Sequence, residues 1–151
     1  MSGFDDVPRR RGDFPVLRAV PTRWHDNDHY GHVNNVVHYA WFDTVVNATL
    51  IERAEVDVRD LDAVGLVVET ACRYLAPVSF PEQVDVGLAV ARLGRSSVDY
   101  RLAVFAADRA DPCALGRFVH VYVDRRAGGS VEVPEVVRRA LEPLVLDGPD
   151  G

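Results

Sequence analysis

The run His25-Asp26-Asn27-Asp28-His29-Tyr30-Gly31-His32-Val33-Asn34-Asn35 gathers two carboxylates, three imidazoles, a glycine and paired asparagines into one short stretch. A helix-like apolar run follows at once. The first backbone N–H groups of a helix have no internal partners and carry partial positive charge. A polarised carbonyl fits there. A carboxylate beside it can act as a general base or as a nucleophile. Each Asp also has a simpler role, since a carboxylate at a helix start often only caps it, and this applies to Asp26 more than to Asp28. Asn34, just before the apolar run, is a good cap candidate. Gly31 suits a close backbone approach or a positive φ.

Other chemistries fit the run poorly. Asp26, Asp28 and Gly31 match positions one, three and six of a calcium loop, but Tyr30 and Val37 occupy positions that must supply carboxylate oxygens. The spacing of His25, His29 and His32 matches no standard zinc set, and no HExxH or CxxC accompanies it. No GxSxG elbow is present. No metal and no cofactor is therefore expected.

The elements that hold this loop can be read from the hydrophobic pattern. Phe14–Arg23 is strand-like, with Pro21 suiting an edge or a strand end. From Asn35 to about Glu55 the residues suit a helix. Val36, Val37, Ala40, Trp41, Phe42, Val45, Val46, Ala48, Leu50 and Ile51 cover most of its circumference, which predicts an enveloped helix. The small residues Ala40, Thr44 and Ala48 would let a sheet approach closely. Gly65–Leu75 reads as a strand. Val84, Val86, Leu88 and Val90 alternate with less apolar residues, and Val98, Tyr100, Leu102 and Val104 do so again after the turn at Leu93–Ser96, so a hairpin is predicted. Leu115–Asp124 is the last long strand. Pro134–Glu142 suits a short helix, with Pro134 in its first turn and Pro143 beyond it. His120, flanked by Phe118 and Tyr122, reads as a packing residue with one hydrogen bond, and His38 is ambiguous. Strands in series with one segregated helix imply an α+β domain, an antiparallel sheet wrapped around the helix. Its edge needs cover, and pairing with a second copy supplies it.

Composition narrows the function. The 151 residues are 48% hydrophobic, which suits one folded domain. The formal charge of -6 argues against a nucleic-acid partner. All 17 basic residues are Arg, so lysine Schiff-base and P-loop chemistry are both excluded. Cys72 and Cys113 suggest neither a disulfide framework nor a metal site. No signal peptide or spanning helix is visible, so no membrane partner and a cytoplasmic location are expected. Residues 1–13 and 147–151 read as flexible ends around a domain over 14–146.

The stretch Arg23–Tyr39 resembles the opening motif of hotdog-fold acyl thioesterases of the 4-hydroxybenzoyl-CoA thioesterase-like family. That motif is Asp-x-Asp-x-x-Gly-His-Val-Asn-Asn followed by an aromatic helix, and Asp26, Asp28, Gly31, His32, Val33, Asn34 and Asn35 fit it. Tyr74-Leu75-Ala76-Pro77-Val78 and Leu93-Gly94-Arg95-Ser96-Ser97 are similar to the family as well. The resemblance implies a hotdog fold, paired into a homodimer or a dimer of dimers with the pocket between subunits. It implies Asp28 as catalytic carboxylate and the backbone amide of Asn35 as the carbonyl's hydrogen-bond donor. His32 and Asn34 would fix the loop or touch substrate. Arg95, Ser96 and Ser97 would contact coenzyme A phosphates. The implied substrate is an acyl-CoA, with an acyl carrier protein as a possible partner. The alternatives on the same fold are a module that binds acyl thioesters without cleaving them, and a hydratase or dehydratase.

Overall fold

The computed structural model describes residues 3–147. Strand β1 (Val16–Pro21) leads through the polar loop into helix α1 (Asn35–Ala54). Four strands follow: β2 (Ala63–Tyr74), β3 (Gln83–Leu93), β4 (Ser97–Ala106) and β5 (Ala114–Asp124). A short helix α2 (Glu135–Leu141) comes last, and Pro143 sits in the 3-10 turn behind it. The strands form one antiparallel sheet in the order β1-β3-β4-β5-β2. This is the α+β hotdog arrangement, with a long helix packed on a five-stranded sheet.

Alternation in β3 and β4 sends Val84, Val86, Leu88, Val90, Val98, Tyr100, Leu102 and Val104 into the core beneath α1. Trp41, Phe42, Val45, Val46 and Leu50 meet them from the helix. Burying each large side chain of this kind is worth about 1.5–3 kcal/mol. The close approach of helix to sheet is made by a glycine on the sheet. Phe42 lies over Gly116, where a Cβ would come within 2.6 Å of the ring. The small helix residues expected to do this, Ala40 and Thr44, face outward and are exposed.

The helix is also less enveloped than its composition predicts. Val36 and Ile51 are exposed along with Ala40 and Asp43, so one flank of α1 is uncovered in a single chain. Strand β2 lies at the sheet edge and exposes Leu66, Val67, Val68 and Tyr74, with Leu75 just beyond it. An exposed apolar edge is a template for pairing with another chain.

The N-terminal segment departs most from expectation. Residues 3–13 do not stand off as a loose end. Val7 and Phe14 are buried against Ala89, Ala103, Phe105 and Leu115 on the sheet face opposite α1, and Phe4 packs beside them. Asp6 joins Arg101 at 2.8 Å, and Arg11 joins Asp85 at 2.9 Å. Arg101 is only 5% exposed and is also paired with Asp99. Of the other predicted loose end, residues 148–151 lie outside the described residues. No described helix is long and apolar enough to cross a membrane.

Candidate active site

The loop between β1 and α1 is held at nearly every residue. Asp26, 1% exposed, accepts the Arg23 backbone N–H at 2.8 Å and the Arg23 guanidinium at 2.9 and 3.1 Å. Its own carbonyl accepts the Asn34 N–H at 2.8 Å. Asp26 is thus a structural clasp closing the loop across its base. A neighbouring segment staples the tip. Val33 donates to the Val78 carbonyl, Phe80 donates to the Asn27 side chain at 2.9 Å, and the Ser79 hydroxyl donates to the Gly31 carbonyl at 2.8 Å. Gly31 has φ 83, and a Cβ there would meet no atom within 4 Å. Its requirement is therefore the left-handed backbone, not space.

Asp28 sits at the turn. Its N–H donates to the His32 carbonyl at 2.9 Å, and its Oδ1 accepts the Tyr30 N–H at 2.9 Å. Among the described residues the second carboxylate oxygen has no hydrogen-bond partner, and no arginine pairs with it. The group is half-buried. Asn34 caps α1, its side chain accepting the Val36 N–H at 3.0 Å. The Val37 N–H goes to the Asn34 carbonyl. Among the described residues the Asn35 N–H has no acceptor, so the first amide of the helix is available.

A groove of about 340 Å³ opens at this helix start, lined by His32, Asn35, His38, Tyr74 and the Leu75–Val78 segment. That size lies at the low end for small-molecule sites. Of the residues expected at the site, His32 and Asn35 line it, while Asp28, Gly31 and Asn34 lie in the loop behind it. Two lining residues were not singled out as site residues from the sequence. The Tyr74 hydroxyl donates to the Asn35 carbonyl at 2.7 Å, and burial pushes its pKa up. His38 packs between Trp41 and Tyr74 with its Nδ1 unpartnered. Burial lowers its pKa to about 4, so the imidazole is neutral near pH 7. The signal for both was their spacing from the motif, His38 one helical turn after Asn34 and Tyr74 at a strand end.

Arg95, Ser96 and Ser97 are not near this groove in the same chain. They form the turn at the far end of β3, about 30 Å along the strand from Gln83. There the Arg95 carbonyl accepts the Val133 N–H, and its exposed guanidinium meets the exposed Glu132 at 3.2 Å. Among the described residues, no group of three His, Cys, Asp or Glu side chains converges as a metal site.

The thioesterase-like superfamily profile matches residues 22–141, so the chain belongs to that superfamily, whose members share the hotdog fold described above. The PA5185 protein from Pseudomonas aeruginosa strain PAO1 is 50% identical, with 93% of this chain and 99% of that one covered and a TM-score of 0.88. A thioesterase from Thermus thermophilus, solved with coenzyme A and Zn, is 28% identical, covering 87% of this chain and 95% of that one, with a TM-score of 0.74. The YsmA protein of Bacillus subtilis (strain 168) is 24% identical over 143 residues, 93% of this chain and 96% of its own length.

Proposed function

We propose that the protein hydrolyses an acyl-CoA thioester to a free acid and a thiol. Thiolate leaves readily, so the chemistry requires a polarised carbonyl and an attacking oxygen. The Asn35 amide, free and at the groove, serves as the carbonyl's donor; one such donor is typically worth about 10²–10³ in turnover. Asp28 supplies the attack, either by taking a proton from water or by bonding to the carbonyl carbon directly. The observation that supports this reading is that one stapled loop carries both a half-buried Asp28 carboxylate with no arginine partner and, at its end, a helix N–H at Asn35 with no acceptor among the described residues. His32 and Asn34 hold that loop and the mouth of the groove.

The active unit is a homodimer built by antiparallel pairing of the two β2 edges, in which acyl-CoA lies between subunits. A register with Ala63 opposite the partner's Tyr74 and Gly65 opposite the partner's Cys72 is favoured by face matching. Gly65 and Val67 pair with Tyr122 and His120, while Thr70, Cys72 and Tyr74 pair with Phe118, Gly116 and Ala114. Paired residues share a face, and the bulge between Val67 and Glu69 keeps both halves facing the helix. Every helix-side residue then meets a helix-side residue of the second copy. Ser97, Val121 and Leu66 lie in one cross-sheet row, so Arg95, Ser96 and Ser97 fall about three strand spacings, roughly 14 Å, from the partner's groove. They are suited to the CoA phosphates of that site.

A thiol-release assay over acyl-CoAs, run beside Asp28→Asn, tests the reading. Thiol release by the wild type and its loss in the variant supports it. Undiminished release by Asp28→Asn removes Asp28 from the mechanism. The absence of Asp28 from the groove lining of a single chain favours the second reading, an acyl-thioester-binding module. Binding of acyl-CoA without thiol release would establish that instead.

A further inference from the structure

A second cavity, of about 180 Å³, lies between the C-terminal half of α1 and the start of β2. Leu50, Val58, Leu61 and Ala63 give it apolar walls, the exposed Arg59 and Arg125 and the Tyr122 ring complete the lining, and two further polar side chains, His120 and Asn47, face it from the sheet and the helix. His120 is 3% exposed, and its Nδ1 has no hydrogen-bond partner. The sequence suggests one bond; among the described residues its ring makes edge contacts with Tyr100, Phe118 and Tyr122 and no hydrogen bond. Asn47 spends its amide nitrogen on Asp43, at 2.8 and 3.1 Å, which leaves its carbonyl oxygen as an acceptor. Gly65 packs against the imidazole: a Cβ there would stand 3.0 Å from the buried Nδ1 and 3.2 Å from the Tyr122 ring, so any side chain at this position would press on both. A buried imidazole nitrogen without a partner is costly and calls for a ligand atom or a water.

The cavity is remote from its own helix mouth, since Asn35 and Asn47 are about 18 Å apart along α1. In the β2-paired dimer it borders the shared edge instead. Gly65 then stands one strand spacing, about 4.8 Å, from the partner's Cys72, beside the partner's Tyr74 and groove.

We propose that this cavity is the acyl subsite of the partner's reaction centre and selects a compact acyl group ending in a hydroxyl. The inference rests on the thioesterase reading above. A cavity of about 150 Å³ takes a benzene-sized guest, so about six carbons fill this one. A terminal hydroxyl can both accept and donate, matching the imidazole and the Asn47 oxygen together.

The test compares 6-hydroxyhexanoyl-CoA, hexanoyl-CoA and dodecanoyl-CoA with the purified full chain. For the wild type, kcat/KM for the hydroxylated probe exceeds that for hexanoyl-CoA about tenfold or more, and dodecanoyl-CoA is the poorest. In His120→Phe, and separately in Asn47→Leu, the hydroxyl preference falls toward one. Gly65→Ala, which presses on the imidazole, does the same. In a doubly tagged heterodimer of Asp28→Asn and His120→Phe protomers the preference returns, because the surviving Asp28 faces an intact His120. An unchanged preference in all three single variants overturns the subsite while leaving hydrolysis standing. A heterodimer without preference overturns its assignment to the partner's centre. No hydrolysis of any probe by the wild type overturns both the subsite and the reaction.

Discussion

Tyr74 ties the last residue of β2 to the first residue of α1, its hydroxyl donating to the Asn35 carbonyl at 2.7 Å. The sheet edge and the helix mouth are thereby joined at one residue, whose own N–H is the proposed carbonyl donor. Removing this hydroxyl in Tyr74→Phe should cost about 0.5–1.5 kcal/mol of stability, read from urea unfolding. It should also lower kcat several-fold with a smaller change in KM, since the phenyl ring still lines the groove while the donor residue loses its tether.

Asp28→Asn should leave the melting temperature within about a degree of wild type. The amide oxygen can still accept the Tyr30 N–H, so the turn survives. The basic, nucleophilic oxygen does not. Thiol release should fall by at least about a hundredfold. Wild-type turnover in this variant would exclude the carboxylate from the chemistry.

Asp26→Asn should behave in the opposite way. Asp26 takes three hydrogen bonds from Arg23 in near-complete burial, two of them from a cation. An amide cannot accept on both sides. A loss of about 1.5–3 kcal/mol is expected, and roughly 2–4 °C in Tm accompanies each kcal/mol in a chain of this size. Residual turnover should scale with the folded fraction.

Two buried histidines predict an acid limit. His38 and His120 both titrate near 4 in the folded state because burial disfavours the imidazolium, with the charge of Asp43 partly opposing this at His120. In the unfolded chain a histidine titrates near 6.5. Between these values the unfolded state binds more protons, so stability is highest above about pH 6.5 and falls as pH drops toward 4. Each group contributes on the order of 3 kcal/mol across that window. Urea midpoints at pH 7, 6, 5 and 4 should decline, and His120→Phe should flatten the decline by about half. A pH-independent midpoint would show that neither ring is held neutral.

The elements that alternate or repeat cleanly were legible in the sequence. The β3–β4 hairpin declared itself by Val84 to Val90 and Val98 to Val104, and the helix start by Asn34 and the apolar residues behind it. What failed were features set by distant partners. Arg101 looks like a solvated strand residue until Asp6 arrives from the N-terminal segment to pair with it. Phe4 and Val7 sit among charges with no period, and Phe14 reads as the start of a strand, so nothing local marked the three as a cover for the sheet. The helix reads as enveloped because its apolar residues span its circumference, yet Val36 and Ile51 lack cover in one chain. At the loop, the sequence already favoured Asp26 over Asp28 for the structural role, but the partners that hold the loop, the Arg23 guanidinium on Asp26 and the Ser79–Phe80 staples, are contacts no spacing rule encodes.

The segment over Ala89, Ala103, Phe105 and Leu115 also decides how the molecule can be handled. Gly3 lies beside Arg117 and Leu146 packs on the same outer cluster, so both described ends leave from the back of the sheet. A fluorophore, a surface tether or a fused protein attached at Gly3 or Leu146 would hang from that side and leave the helix-side grooves open to incoming molecules.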